Sequence, residues 1–181
     1  TLEYATVTTA LVPLDLDFEF RGTDGFAGRG TNHADTIVLP AAYAVTAHDR
    51  WTWGVGAYSG FGLEFDLGDD WGGERAVEQA ALVTFNLGPA VALDATERLT
   101  LGGSIAAQWA QADFRLAVAN DWLTPGQPAA DGRFKVTGDD WALGGQLGLT
   151  YELREGTSLG ASWTAPVSHD ATLDLEVRGV Q

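Results

Sequence analysis

The sequence predicts an all-β chain folded as the wall of an antiparallel up-and-down transmembrane β-barrel, and three observations carry that reading. Apolar residues recur at every second position along most of the chain, the period of a strand. The intervening positions are small or polar rather than bulky. Tight turns and long loops alternate, as in an outer-membrane barrel with short turns at one end and longer loops at the other. A soluble barrel or sandwich with its core on the bulky face accounts for the first two observations equally well. The loop alternation is what favours the membrane barrel.

Taken in order, the first strand is expected near LVPLDLDFEF, where Leu14, Leu16, Phe18 and Phe20 oppose Asp15, Asp17 and Glu19. After the long link RGTDGFAGRGTNHAD, Ile37, Leu39, Ala41, Tyr43 and Val45 oppose Thr36, Pro40, Ala42, Ala44 and Thr46, with the large groups expected toward lipid. The tight turn AHDR leads into WTWGVGAYSGFGLEFD, whose odd positions carry Trp51, Trp53, Val55, Ala57, Phe61, Leu63 and Phe65, while Gly54, Gly56, Gly60 and Gly62 fall on the other face. Glycine weakens a strand because it loses most backbone entropy and offers nothing to pack. A face left bare in this way suits a lumen that must leave space.

The link LGDDWGGERAVE is followed by a strand with Val83, Phe85, Leu87, Val91 and Leu93 on one face, the turn DATE, and another with Leu99, Leu101, Ile105 and Trp109. The long connection NDWLTPGQPAADGRFKVTGDD precedes Trp141, Leu143, Leu147, Leu149, Tyr151 and Leu153; the turn REGT precedes Leu159, Ala161, Trp163, Ala165 and Val167. This makes about seven strands. A bilayer offers peptide groups no water, so spanning strands pair fully and turn bulk toward lipid. Trp51, Trp53 and Trp141 are placed for interfacial aromatic girdles.

Composition narrows the function. The net charge is -15, with ten Lys and Arg in 181 residues, too few and too scattered to neutralise phosphates, so no nucleic-acid partner is expected. Cysteine is absent, which removes disulfides, thiolate metal sites and thiol nucleophiles. No run approaches the roughly 18 apolar residues of a spanning helix. The three histidines, His33, His48 and His169, sit in no motif with serine, and no G-x-S-x-G elbow occurs, so no catalytic residue is assigned. Asp66, Asp69, Asp70 and Glu74 form an acidic loop that reads as a solvated surface, as a divalent site, or as a cation bridge to lipopolysaccharide. It lacks an EF-hand pattern, and no metal or cofactor is assigned.

The runs VLPAAYAVTAHDRWTWGVGAYSGFGLEFD, FNLGPAVALDATERLTLGGSIAAQWAQADF and TGDDWALGGQLGLTYELREGTSLGASWTAPVSHDATLDLE resemble the FadL-type transporters of the Gram-negative outer membrane, most specifically from Gly138 to Val167. The resemblance implies a barrel of about fourteen strands with an N-terminal hatch. Residues 1–181 are then expected to be a single partial barrel domain lacking the hatch and the C-terminal strands, and the whole protein a monomer in outer-membrane lipid and lipopolysaccharide. It implies passive passage of long-chain fatty acids or other hydrophobic molecules and no enzymatic step. It also implies a lateral opening at a kinked third strand, at Gly60, Phe61 and Gly62, where glycine would admit the backbone angles that break a ladder. Alternatively these glycines only thin the lumen face. Trp122, Leu123 and Phe134 become candidates for a ligand-capture loop or for a minor packing cluster. Arg115, Arg133 and Lys135 become candidate carboxylate partners, although Arg115 falls by parity with the lipid-facing set. A soluble or periplasmic lipid-binding barrel, and a structural or adhesive barrel without substrate, remain the other readings.

Overall fold

The structure, a computed structural model, describes residues 4–21, 29–68, 73, 76–118 and 132–179. Its strands are β1 (Tyr4–Leu14), β2 (Glu19–Arg21), β3 (Arg29–Thr31), β4 (Ile37–His48), β5 (Trp51–Asp66), β6 (Gln79–Asp94), β7 (Leu99–Val118), β8 (Gly132–Arg154), β9 (Thr157–Thr164) and β10 (Thr172–Arg178). The wall runs β1-β4-β5-β6-β7-β8, and both β9 and β10 pair with the far edge of β8. β2 and β3 form a separate small hairpin within the first long link. Every pairing is antiparallel. Short turns close β4–β5, β6–β7 and β8–β9, and long links join β1–β4, β5–β6 and β7–β8. The expected alternation of links is therefore present.

Two expected boundaries are corrected. The first wall strand is YATVTTALVPL, which pairs with β4 from Tyr4↔Ala47 to Leu14↔Ile37. Its Thr, Ala and Val alternate weakly in hydropathy, so pairing rather than pattern defines it. The acid-interleaved run after Leu14 leaves the wall, and Phe18 meets Phe65 edge-on at 6.1 Å. β8 also begins earlier than expected, at Gly132, because β7 and β10 both hydrogen-bond to its first turns of ladder.

Residues directly opposed in an antiparallel pair share a face, so the registers assign every wall residue to one side. One cavity touches Val45, Gly54, Ala90, Ser104, Gln146 and Ser162, from six neighbouring strands, which identifies their side as concave. The opposite side carries Val7, Leu11, Val55, Leu87, Ile105, Leu143, Leu147 and Trp163, all exposed. Leu67 and Ala117 are the only buried hydrophobics among the described residues. A soluble sandwich would bury its bulky face against a second sheet; here the bulky face is the outside of a single layer.

The band on that outside has membrane dimensions. On β8 it runs from Trp141 to Tyr151, about 33 Å along the strand at ~3.3 Å per residue. A strand tilted by about 40° turns this into a height of about 25 Å, the apolar band of an outer-membrane barrel. Trp141 stands directly opposite Trp109 at the long-loop end, and Trp51 stacks on Trp53 at 5.9 Å at the short-turn end. These are two girdles.

β4 departs from the expected facing. Tyr43 lies opposite Gly56 and Val45 opposite Gly54, so the bulky residues of β4 share the concave face with the glycines of β5. The Tyr43 ring lies over Gly56, where an added Cβ would sit 2.9 Å from ring carbon Cδ1, and stacks on Tyr58 at 5.8 Å. Part of the bare face is thus filled by the Tyr43 ring of β4 and the Tyr58 ring of β5 itself.

Candidate functional site

The third wall strand carries a bulge. Tyr58 pairs with Asn86 and Phe61 with Thr84, so Ser59 and Gly60 together oppose the single residue Phe85. The extra residue reverses the facing of everything after it. Phe61, Leu63 and Phe65 therefore share the concave face with Thr84, Leu82 and Ala80, which corrects their expected orientation toward lipid. β4–β5 pairing also stops at Ala41↔Tyr58, although β4 extends to Ile37 and β5 to Asp66. The wall has an unpaired seam beside the bulge.

Side chains stitch this region. Ser59 Oγ donates to Thr84 O at 2.8 Å, Thr84 Oγ1 to Phe61 O at 3.3 Å, and Asn86 Nδ2 to Tyr58 O at 3.5 Å. Gly60 and Gly62 serve by their size rather than by unusual angles: left-handed φ among the described residues is confined to Asp49, Gly68, Gly156 and Gly179. A Cβ on Gly60 would meet Asn86 Nδ2 at 2.8 Å; one on Gly62 would meet Leu39 Cδ2 at 2.6 Å and Ile37 Cγ2 at 3.5 Å. Leu39 and Ile37 thus fill the seam from the β4 side.

Above the Trp109–Trp141 pair, at the long-loop end, the hydropathy of the two faces inverts. Outward positions become Gln111, Asp113 and Arg115 on β7, opposite Asp139, Thr137 and Lys135 on β8. Inward positions become Phe114 and Leu116, opposite Val136 and Phe134, with Leu175 and Val177 of β10 beside them. Leu82, Leu63 and Phe65 continue this inner face across β6 and β5. The result is an apolar lining of the concave face at the long-loop end, termed the cup below, next to a polar floor. In that floor Gln108 Nε2 donates to Asn86 Oδ1 at 2.8 Å, and Gln108 Oε1 lies 3.0 Å from His169 Nε2. Asn86 is 5% exposed.

The residues singled out in the sequence are distributed across this geometry. Phe61 and Phe134 belong to the cup, and Gly60 and Gly62 to the bulge and seam. Arg115 and Lys135 are direct cross-strand neighbours on the outer face, where Lys135 Nζ pairs with Asp113 at 2.8 Å, and Arg133 follows on the same side of β8. The three cations therefore sit outside the cup. Trp122, Leu123, Asp69, Asp70 and Glu74 lie outside the described residues. Asp66 Oδ1 accepts from Gly68 N–H at 2.9 Å in a local turn, and no metal-holding group of acids and histidines occurs among the described residues. Leu39, Leu82, Phe114, Leu116, Asn86, Gln108 and His169 were not indicated by motif. The signal for Phe114, Leu116 and Val118 is the switch of apolar parity from odd to even after Trp109.

A single-layer antiparallel wall with a membrane-height apolar band and paired girdles has the construction of an outer-membrane barrel. Comparison with known proteins agrees: over residues 3–180 the chain matches the outer membrane protein transport protein family (OMPP1/FadL/TodX), and it belongs to that family. The family consists of outer-membrane transporters of Gram-negative bacteria, not enzymes. The long-chain fatty acid transport protein of Salmonella typhi is 26% identical over 91% of this chain and 41% of its own length. The Ralstonia pickettii toluene transporter TbuX shares the fold at a TM-score of 0.67 and 20% identity, covering 93% of this chain and 49% of that one. A Pseudomonas aeruginosa FadL homologue does so at 0.65 and 16%, covering 91% and 42%. The chain thus spans less than half the length of each.

Proposed function

We propose that this chain forms part of an outer-membrane path for hydrophobic molecules, long-chain fatty acids or monoaromatic hydrocarbons, which enter from the long-loop end, rest in the apolar cup and leave sideways through the β4–β5 seam. The observation that carries the reading is the inversion of hydropathy above Trp109 and Trp141. A wall that only anchored the protein needs bulk toward lipid and has no use for Phe114, Leu116, Phe134 and Leu82 facing inward above the membrane. A hydrophobic solute has: each CH₂ it buries there contributes about 0.8 kcal/mol. The fatty acid and toluene transporters among the relatives support this substrate class. The outward register of Arg115, Arg133 and Lys135 favours the cup over a carboxylate clamp as the origin of affinity.

The test is uptake of a labelled long-chain fatty acid and of toluene by cells expressing the protein. Phe114→Asp and Phe134→Asp should each lower uptake at least tenfold, equivalent to ~1.4 kcal/mol, while heat-modifiable migration on a gel stays normal. A Gly60→Val, Gly62→Val double variant should block uptake while cup binding of the label persists. Full uptake in the cup variants would remove the cup from the path; full uptake in the glycine double variant would remove the seam alone.

A further inference from the structure

The strand on the far edge of β8 is broken, and the broken piece turns inward. β9 pairs with Gln146–Arg154 and β10 with Arg133–Asp139, so Asp140–Gly145 have no strand partner on that edge. One backbone bond remains there, from Ala165 N–H to Gly145 O at 2.9 Å. Residues 165–171 place seven residues opposite six and include Pro166, which has no N–H to donate, so the ladder cannot continue in register. The segment folds onto the concave face instead. A Cβ on Gly144 would lie 2.9 Å from Val167 Cγ2, and Asp170 N–H donates to Asp140 Oδ2 at 2.9 Å. His169, with 22% of its side chain exposed, reaches Gln108.

The hydrogen-bond directions from there follow from the far end of the chain of contacts. Tyr58 O can only accept, so Asn86 presents Nδ2 to it and Oδ1 to Gln108 Nε2. Gln108 Oε1 then faces His169, whose Nε2 must carry the hydrogen. Nδ1 makes no hydrogen bond and lies 3.4 Å from Asp140 Oδ2. Three side chains from three elements thus run in one direction from the break in the last strand to the carbonyl of Tyr58, the last β5 residue in register before the bulge. Asn86 is the buried link and has no water to turn to if Gln108 withdraws.

We infer that His169 is a positioning residue for the β5 bulge, holding it through Gln108 and Asn86, so that the inward-turned segment 165–171 and the seam act as one unit. The link to substrate passage rests on the function proposed above; the link to the bulge does not. The test uses the intact protein in detergent, with hydrogen exchange of the Ser59–Phe61 amides as one readout and uptake of a labelled long-chain fatty acid as the other. His169→Leu and Gln108→Met should each speed exchange at those amides at least tenfold and leave the β7–β8 ladder unchanged. His169→Gln, which keeps a donor at the Nε2 position, should stay near wild type. Asn86→Leu added to His169→Leu should change little more, because both cut the same chain. Should His169→Leu fail to assemble, the Gln108→Met and His169→Gln pair decides. Unchanged exchange at Ser59–Phe61, a uniform rise across the sheet, or additive effects in the double variant would overturn the inference. Faster exchange at the bulge with undiminished uptake would uphold it and count against the seam as the exit.

Discussion

Gly88 and Gly102 sit on neighbouring strands, both at positions that the alternation marks as small, yet their surroundings differ. A Cβ on Gly88 would fall 1.9 Å from Ile105 O and 2.7 Å from Ala106 Cα, backbone atoms that cannot swing aside. The β6–β7 ladder skips two residue pairs just there, between Leu87↔Ala107 and Ala90↔Ser104, next to Pro89, and resumes in the same register. The nearest atom to a Cβ on Gly102 is 3.7 Å away. Gly88→Ala should therefore cost more than the roughly 1–3 kcal/mol of ordinary overpacking, and Gly102→Ala almost nothing. Denaturant midpoints in detergent check the pair; equal midpoints would refute the crowding argument. Both glycines look alike in the sequence, because what distinguishes them is a carbonyl from another strand. The same holds for Gly60 and Gly62, whose special status was legible but whose reason was not: Asn86 and Leu39 crowd them from β6 and β4.

At the scale of the element, β8 shows how much a strand's own pattern can say. Its apolar odd set from Trp141 to Leu153 was readable, and so was its assignment to the outside. Its first nine residues, from Gly132 to Asp140, were not, because their apolar and charged positions change sides there and their pairing partner, β10, lies more than thirty residues away. That change of sides yields a depth prediction. Leu147, near the middle of the outer band, and Asp139, one outward position above Trp141, face the same way on one strand. Leu147→Arg should destabilise the folded barrel by about 2–4 kcal/mol, and Asp139→Arg by no more than about 1 kcal/mol. Refolding equilibria into lipid vesicles measure both. Similar penalties at the two sites would place the membrane boundary elsewhere. β5 carries the complementary lesson: one extra residue at Ser59–Gly60 reverses Phe61, Leu63 and Phe65, and period-two reading has no means of registering an insertion that leaves the alternation intact.

For the whole molecule, a single curved sheet with a bulky exterior and almost no buried hydrophobic side chain among the described residues requires lipid to cover it. The folded protein should sediment with outer membranes, leave them only in detergent, and migrate faster on a gel unheated than boiled. Recovery of folded protein in buffer alone would contradict the outward assignment of Leu143, Leu147 and Trp163. The sequence by itself determined the strand period, the alternation of short and long links, the membrane-facing band and the family, because these depend on local periodicity and spacing. Tertiary structure alone decided which face β4 presents, where the bulge reverses β5, that Arg133 and Lys135 join Arg115 on the side away from the cup, and that His169 reaches Gln108. Those outcomes depend on register between strands, and a shift of one residue in register moves every side chain to the other face while leaving the pattern along each strand unchanged.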